Sequence, residues 1–183
     1  MSFSINDIRG NLIHGGWRPS HFQVIITNPF DTSADLKTPF MVRSAQLPSY
    51  NIGQIPVYYF GRPIFVPGDR TVEPWNTTVI NDEDFVIKNA LEVWQNKINA
   101  MQRNVASTNL VNELKSTALI TAFGKDGREL RVYQLNGFWP MNIAAIETDW
   151  QSTDTLGEFQ VTWSFDDCMV VGGITGDGGS SEA

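Results

Sequence analysis

The sequence predicts a mainly β protein, an antiparallel β-sandwich or barrel with one flanking α-helix. Three observations carry this. Apolar and polar residues alternate with period two, most clearly where Phe159, Val161, Trp163 and Phe165 share one face and Gln160, Thr162 and Ser164 the other. The alternating segments are short and evenly spaced, which favours a sandwich or barrel. A single stretch breaks the pattern with an apolar stripe at helical spacing.

In chain order, candidate strands cover residues 22–27, 40–45, 52–59, 72–80, 117–123, 130–136, 143–150 and 158–165. Gly124-Lys125-Asp126-Gly127 tolerates positive φ and so joins the strands on either side of it as a hairpin. Ile87, Leu91, Trp94, Ile98 and Met101 recur at three- and four-residue steps, the stripe of a helix that covers one side of the sheet. Asn81 or Asp82 is placed to cap its first amides, and Glu83 with Asp84 complements the positive end of its dipole. Three segments read as irregular: an N-terminal arm over residues 1–20, an exposed loop over 28–39, and a Gly/Ser-rich tail over 172–183, expected to be mobile unless a partner fixes it. Residues 21–171 form the β domain between arm and tail.

A chain of 183 residues is most simply one domain, and hydrophobic content of 42% with 11% aromatics supplies a core for it. The single cysteine, Cys168, excludes an intrachain disulfide and reads as a half-buried apolar residue, not a reactive thiol. No apolar run reaches membrane-spanning length, and residues 1–16 lack the pattern of a secretory signal, so no membrane insertion and a cytoplasmic origin are expected. All 13 basic residues precede Val132, whereas eight acidic residues follow it. Such a chain is poorly suited to gripping nucleic acid, because that binding draws on Lys and Arg displacing condensed counterions.

Catalysis has little to draw on. With His14 and His21 the only histidines, a histidine triad or metal site lacks members. Asp166-Asp167 reads as solvated charge at a strand end, Gly68-Asp69-Arg70-Thr71 as a structural turn with Arg70 reaching a neighbouring carboxylate or subunit, and Gly176-Asp177-Gly178-Gly179 lacks the strand, helix and Lys of a phosphate loop. No catalytic, cofactor-binding or metal-binding residue is assigned.

Residues 47–67 are apolar and aromatic yet repeatedly interrupted by Pro and Gly. They read either as an edge hairpin or as a projecting element whose apolar surface another subunit buries. The second reading is preferred, with Tyr50, Tyr58, Tyr59, Phe60, Phe65 and Arg70 as candidate interface residues and order expected only on assembly.

Three separated motifs then line up: Gly68 to Asp84, Phe138-Trp139-Pro140-Met141-Asn142, and Asp149-Trp150. In this order they resemble the tail tube proteins of contractile-tailed (myovirus-type) bacteriophages, over a span from about His21 to Asp167. The resemblance implies a fold shared with type VI secretion tubes. By it Gly68 to Thr71 are a turn, Trp75 lies in the following strand, Asn81 to Glu83 start the helix, Phe138 to Asn142 are a late turn, and Asp149-Trp150 belong to the next strand. It further implies a virion protein assembled in the host cytoplasm into stacked hexameric rings. Its partners would be further copies of itself, the sheath, tape-measure, baseplate and tail-terminator proteins, and DNA that passes through the lumen without specific binding. Glu147, Asp149, Asp154 and Glu158 are the candidate lumen or surface charges. Two alternatives stay open: a ring component of a baseplate or type VI-like apparatus, and an isolated β-sandwich binding module.

Overall fold

The computed structural model describes residues 5–179. Helix α1 (Ile5–Asn11) precedes β1 (Phe22–Ile26), and a helical turn α2 (Thr38–Met41) runs into β2 (Val42–Ala45). Strands β3 (Tyr50–Tyr59), β4 (Arg62–Val72) and β5 (Trp75–Ile80) lead to helix α3 (Val86–Ile98) and the short α4 (Val111–Leu114). Strands β6 (Ser116–Phe123), β7 (Glu129–Ile143), β8 (Glu158–Ser164) and β9 (Asp167–Gly172) complete the fold.

All observed strand pairs are antiparallel. The main sheet runs β1-β6-β7-β8-β5-β2, with β9 also on β7, while β3 and β4 pair only with each other. Strand β7 is the joint. Its first part lies between β6 and β9, and its last residues, Trp139 to Ile143, pair with β8. Gly137 makes the switch between them. It adopts φ +64°, and a Cβ there would fall 2.1 Å from Asp166 Oδ2. Asp166 is held in place because its amide donates to the Asn136 carbonyl at 2.9 Å and its carboxylate accepts from Lys115 Nζ at 2.6 and 2.8 Å. Only glycine meets both demands, the left-handed conformation and the close approach.

The two halves of the sheet close over one aromatic core. Phe138 stacks on Trp163 with ring centroids 4.4 Å apart, and Trp94 from α3 packs against both. Each buried indole finds an acceptor: Trp94 Nε1 donates to the Leu114 carbonyl at 2.8 Å and Trp163 Nε1 to Thr77 Oγ1 at 2.9 Å. These bonds avoid the penalty of an unpaired buried donor. In β8 the expected face is buried, with Phe159, Val161 and Trp163 at 2% exposure or less.

Several expectations need correction. The helix starts at Val86, not at Asn81 to Glu83. Phe85 precedes it with φ 51°, and Asp84 Oδ1, not Asn81 or Asp82, accepts the Val86 amide at 3.2 Å. It ends at Ile98, so Met101 lies beyond the stripe and is exposed, while Ala90 joins the buried face. The segment 28–39 is exposed only in part, at Pro29, Thr32, Ser33 and Leu36. Asn28 is buried and its Nδ2 donates to the Ala90 carbonyl at 3.1 Å, while Ala34 and Thr38 are buried too. Residues 40 and 41 of the expected second strand belong instead to α2, with Pro39 in its first turn, where a missing N–H costs nothing.

The stretch 72–80 is divided at Pro74, between β4 and β5. Gly68 is no turn but a bulge inside β4, facing Gly53 so closely that a Cβ would lie 3.1 Å from its carbonyl oxygen. Phe138 to Asn142 are strand, not turn, with a bulge that accommodates Pro140. Strand 143–150 is absent. Pairing stops after the Ala144 amide bonds the Gln160 carbonyl, and Asp149 Oδ1 then accepts the Gln151 amide in a turn that leaves Trp150 fully exposed. Asp166 and Asp167 are not simply solvated: Lys115 pairs with the first and Asn136 Nδ2 donates to the second at 2.6 Å. The tail is fastened where it is described, since Thr175 Oγ1 donates to the Leu130 carbonyl at 2.9 Å. Its residues 180–183, and residues 1–4 of the arm, lie outside the described residues.

Candidate functional site

The β3–β4 hairpin concentrates exposed apolar side chains, from Ile52 and Ile55 through Tyr58, Tyr59 and Phe60 to Phe65 and Val66. Tyr59 and Arg62 close it around Phe60 and Gly61, both at positive φ (45° and 76°), a two-residue primed turn. From the tip the pairs Tyr59–Arg62, Val57–Ile64 and Ile55–Val66 lie on one face, and Tyr58–Pro63, Pro56–Phe65 and Gln54–Pro67 on the other. Both faces are therefore apolar. No core of its own lies beneath either: Phe60 is 90% exposed, Tyr58 71%, Tyr59 68% and Phe65 61%. A solitary two-stranded hairpin is marginal in water, and apolar surface on both sides invites a partner.

The prolines are placed by the ladder. In a two-residue hairpin the closing pair exchanges both backbone bonds, so alternate pairs direct their N–H groups outward to the strand edges. Pro56, Pro63 and Pro67 all fall on those outward-directed pairs. They cost the hairpin no internal bond and deny a further strand its donors, chiefly along β4. The hairpin is thus built to be covered on its faces. Phe60 carries the same message, since Asn is the preferred residue at its position and a bulky ring there is strained. The ring sits edge-on to Tyr59, with centroids 4.5 Å apart.

At the hairpin base the Arg70 guanidinium lies over the Tyr50 ring, 5.4 Å from its centroid, rather than on a carboxylate of the subunit. The Tyr50 hydroxyl is 3.9 Å from Cys168 Sγ. Burial raises the thiol of Cys168 above its ordinary range, so the group stays protonated and unreactive at neutral pH. Residue by residue, all six candidate interface positions fall on this one element.

The four candidate charges converge elsewhere. Glu147, Asp149, Asp154 and Glu158 line one open groove of about 1040 Å³ together with Arg43, Ile146 and Leu156. The groove lies beside the segment between β7 and β8. Glu158 is paired with Arg43, so its charge is balanced, whereas Glu147, Asp149 and Asp154 remain exposed. Trp150, expected in a strand, projects from the same loop. Among the described residues no cluster of three or more His, Cys, Asp or Glu is disposed to hold a metal, and no helix is long and apolar enough to cross a membrane.

Residues 17–170 match the family model described as phage tail tube protein. The chain is 31% identical over 150 residues to the tail tube protein gp19 of Enterobacteria phage T4, covering 81% of this chain and 88% of that protein. It is 30% identical over 161 residues to the tail tube protein of Serratia phage KSP90, covering 85% and 90%. Among solved structures, the tube-terminating cap of the anti-feeding prophage has the same fold, with a TM-score of 0.61 at 18% identity over 85% of this chain and 90% of that one.

Proposed function

The chain belongs to the phage tail tube protein family, and from that premise we propose that it builds the inner tail tube of a contractile tail as stacked hexameric rings. As a tail tube protein it is a structural component of the virion and not an enzyme. The observation that carries the finer reading is the β3–β4 hairpin, apolar on both faces and covered on neither. A surface of this kind is a contact surface, and burial against neighbouring copies accounts for both faces at once.

In this proposal the β domain of residues 21–171 forms the wall, the sheath surrounds it, and baseplate, tape-measure and tail-terminator proteins meet its ends and lumen. DNA leaves through the lumen without being gripped. The formal net charge of -7 supports that part of the reading, since passing phosphates meet no excess of Lys and Arg with which to exchange counterions.

The test is direct. Purified protein is examined by light scattering at high concentration and moderate salt, and by negative-stain microscopy. Stacked sixfold rings are the expected result, and a stable monomer without rings refutes the proposal.

A further inference from the structure

The hairpin and the acidic groove lie at opposite ends of the same strands. The chain enters the hairpin from Ala45, at the end of β2, and leaves it into Trp75, at the start of β5. In the register of the sheet Ala45 pairs with Thr77 and Trp75 with Trp163, so this is one end. The groove is built at the other, where Ile80 pairs with Glu158 and Arg43 reaches Glu158. The length of β5 separates them, roughly 20 Å at ~3.4 Å per residue.

Their chemistry is complementary. From Ile52 to Pro67 the hairpin carries a single charge, Arg62, placed beside the tip among Tyr59 and Phe60. The groove offers the exposed carboxylates of Glu147, Asp149 and Asp154, which, unlike Glu158, have no basic partner among the described residues, around the apolar side chains of Ile146 and Leu156. We propose that the hairpin tip of one copy seats in the groove of the next copy, with Arg62 meeting the carboxylates and the Tyr59–Phe60 pair meeting Ile146 and Leu156. The contact is heterologous: each copy offers a hairpin at one end and a groove at the other, so the arrangement propagates along the strand direction instead of closing as a dimer. The prolines on the hairpin's outward pairs favour this face-on seating over strand addition. The acidic residues of the groove then face a neighbouring subunit and not the lumen.

This inference rests on the tube reading above, and two experiments separate the two. In a Cys168→Ser background, Pro63→Cys with Ser152→Cys puts one thiol beside the tip and one on the groove loop, both at exposed positions outside the proposed contact residues. Mild oxidation of the assembled protein is expected to produce a ladder of dimers, trimers and higher multimers. Arg62→Glu and Asp149→Arg are each expected to raise the protein concentration needed for tubes by about tenfold, and the double variant to recover most of that loss. Tubes from the unmodified chain without any ladder, or a ladder that stops at dimers, overturns this contact while leaving the tube reading in place. So do charge variants that all assemble like the unmodified chain. Absence of rings from the unmodified chain overturns the tube reading itself, and this contact with it.

Discussion

Replacing Phe60 by Asn sets subunit stability against assembly. Phe60 holds φ 45° at the hairpin tip, where a non-glycine residue is strained by about 1–2 kcal/mol and Asn is tolerated better. The substitution also removes the edge-on contact with Tyr59, which in an exposed pair is worth about 0.5 kcal/mol. These terms offset to within about 1 kcal/mol, so the midpoint of thermal unfolding should move by only a few degrees. Assembly has no such compensation. With 90% of the residue exposed, roughly 180 Å² is available for burial against a neighbour, an upper limit of ~4.5 kcal/mol at ~25 cal/mol per Å². Immobilising the side chain takes back about 0.5–1.5 kcal/mol, which leaves ~3 kcal/mol, or roughly 100-fold in association. The assay is the concentration of free subunit left in the supernatant after tubes are pelleted. A rise of about two orders of magnitude with an unchanged unfolding midpoint is expected. A free-subunit concentration within threefold of the unmodified protein, or an unfolded variant, refutes the assignment of this residue to an assembly surface.

Tyr59→Ser with Phe60→Ser should leave a folded, soluble subunit that no longer polymerises; normal tubes, or loss of the fold by circular dichroism, contradicts this. Phe138→Ala removes a fully buried ring stacked on Trp163 and is expected to cost about 3–5 kcal/mol in denaturant titrations, with a loss below about 1 kcal/mol as the refuting result. Gly137→Ala meets both the positive φ and the Asp166 carboxylate, so ~2 kcal/mol or more should be lost, and a neutral outcome would show that the β7 switch tolerates a side chain. Hydrogen bonds from Lys37 to Asp82 and Asp84 hold both carboxyls below their ordinary 3.8, and the same bonds raise the ammonium above 10.5. Stability from the depressed carboxyls is present above about pH 4 and is lost as pH falls through the folded values, while that from Lys37 is lost only as pH rises past its elevated one. The stability difference between the unmodified protein and Lys37→Met should therefore shrink from pH 7 to pH 3 in thermal melts, and a constant difference would refute the coupling.

Much of the fold was legible because a residue beside water and a residue beside core alternate along a half-buried strand. Strand β8 shows this directly, as do the Gly124 to Gly127 hairpin and the Ile87, Leu91, Trp94 stripe of α3. Residues 47–67 were legible as a projecting element for a different reason: Pro and Gly repeatedly interrupt an apolar run that lacks alternation, which a core hairpin seldom tolerates. That same lack of alternation hid β4, together with its prolines, which count against a strand until the ladder shows that their missing N–H groups point outward. Other features depended on residues far apart in the chain. Asn28 is buried because it reaches Ala90, so the polar segment 28–39 is anchored against α3 at Asn28 and buries Ala34 and Thr38, while Thr32, Ser33 and Leu36 still meet solvent. The strand expected at 143–150 fails because pairing with β8 ends after Ala144, and the freed loop gathers Glu147, Asp149 and Asp154 around a groove with Glu158. Gly137 is required by a carboxylate at position 166 that local pattern does not connect to it. Periodicity records only which side of a segment meets water, whereas the partner on its other side, and hence the groove and its distance from the hairpin, is decided by long-range pairing.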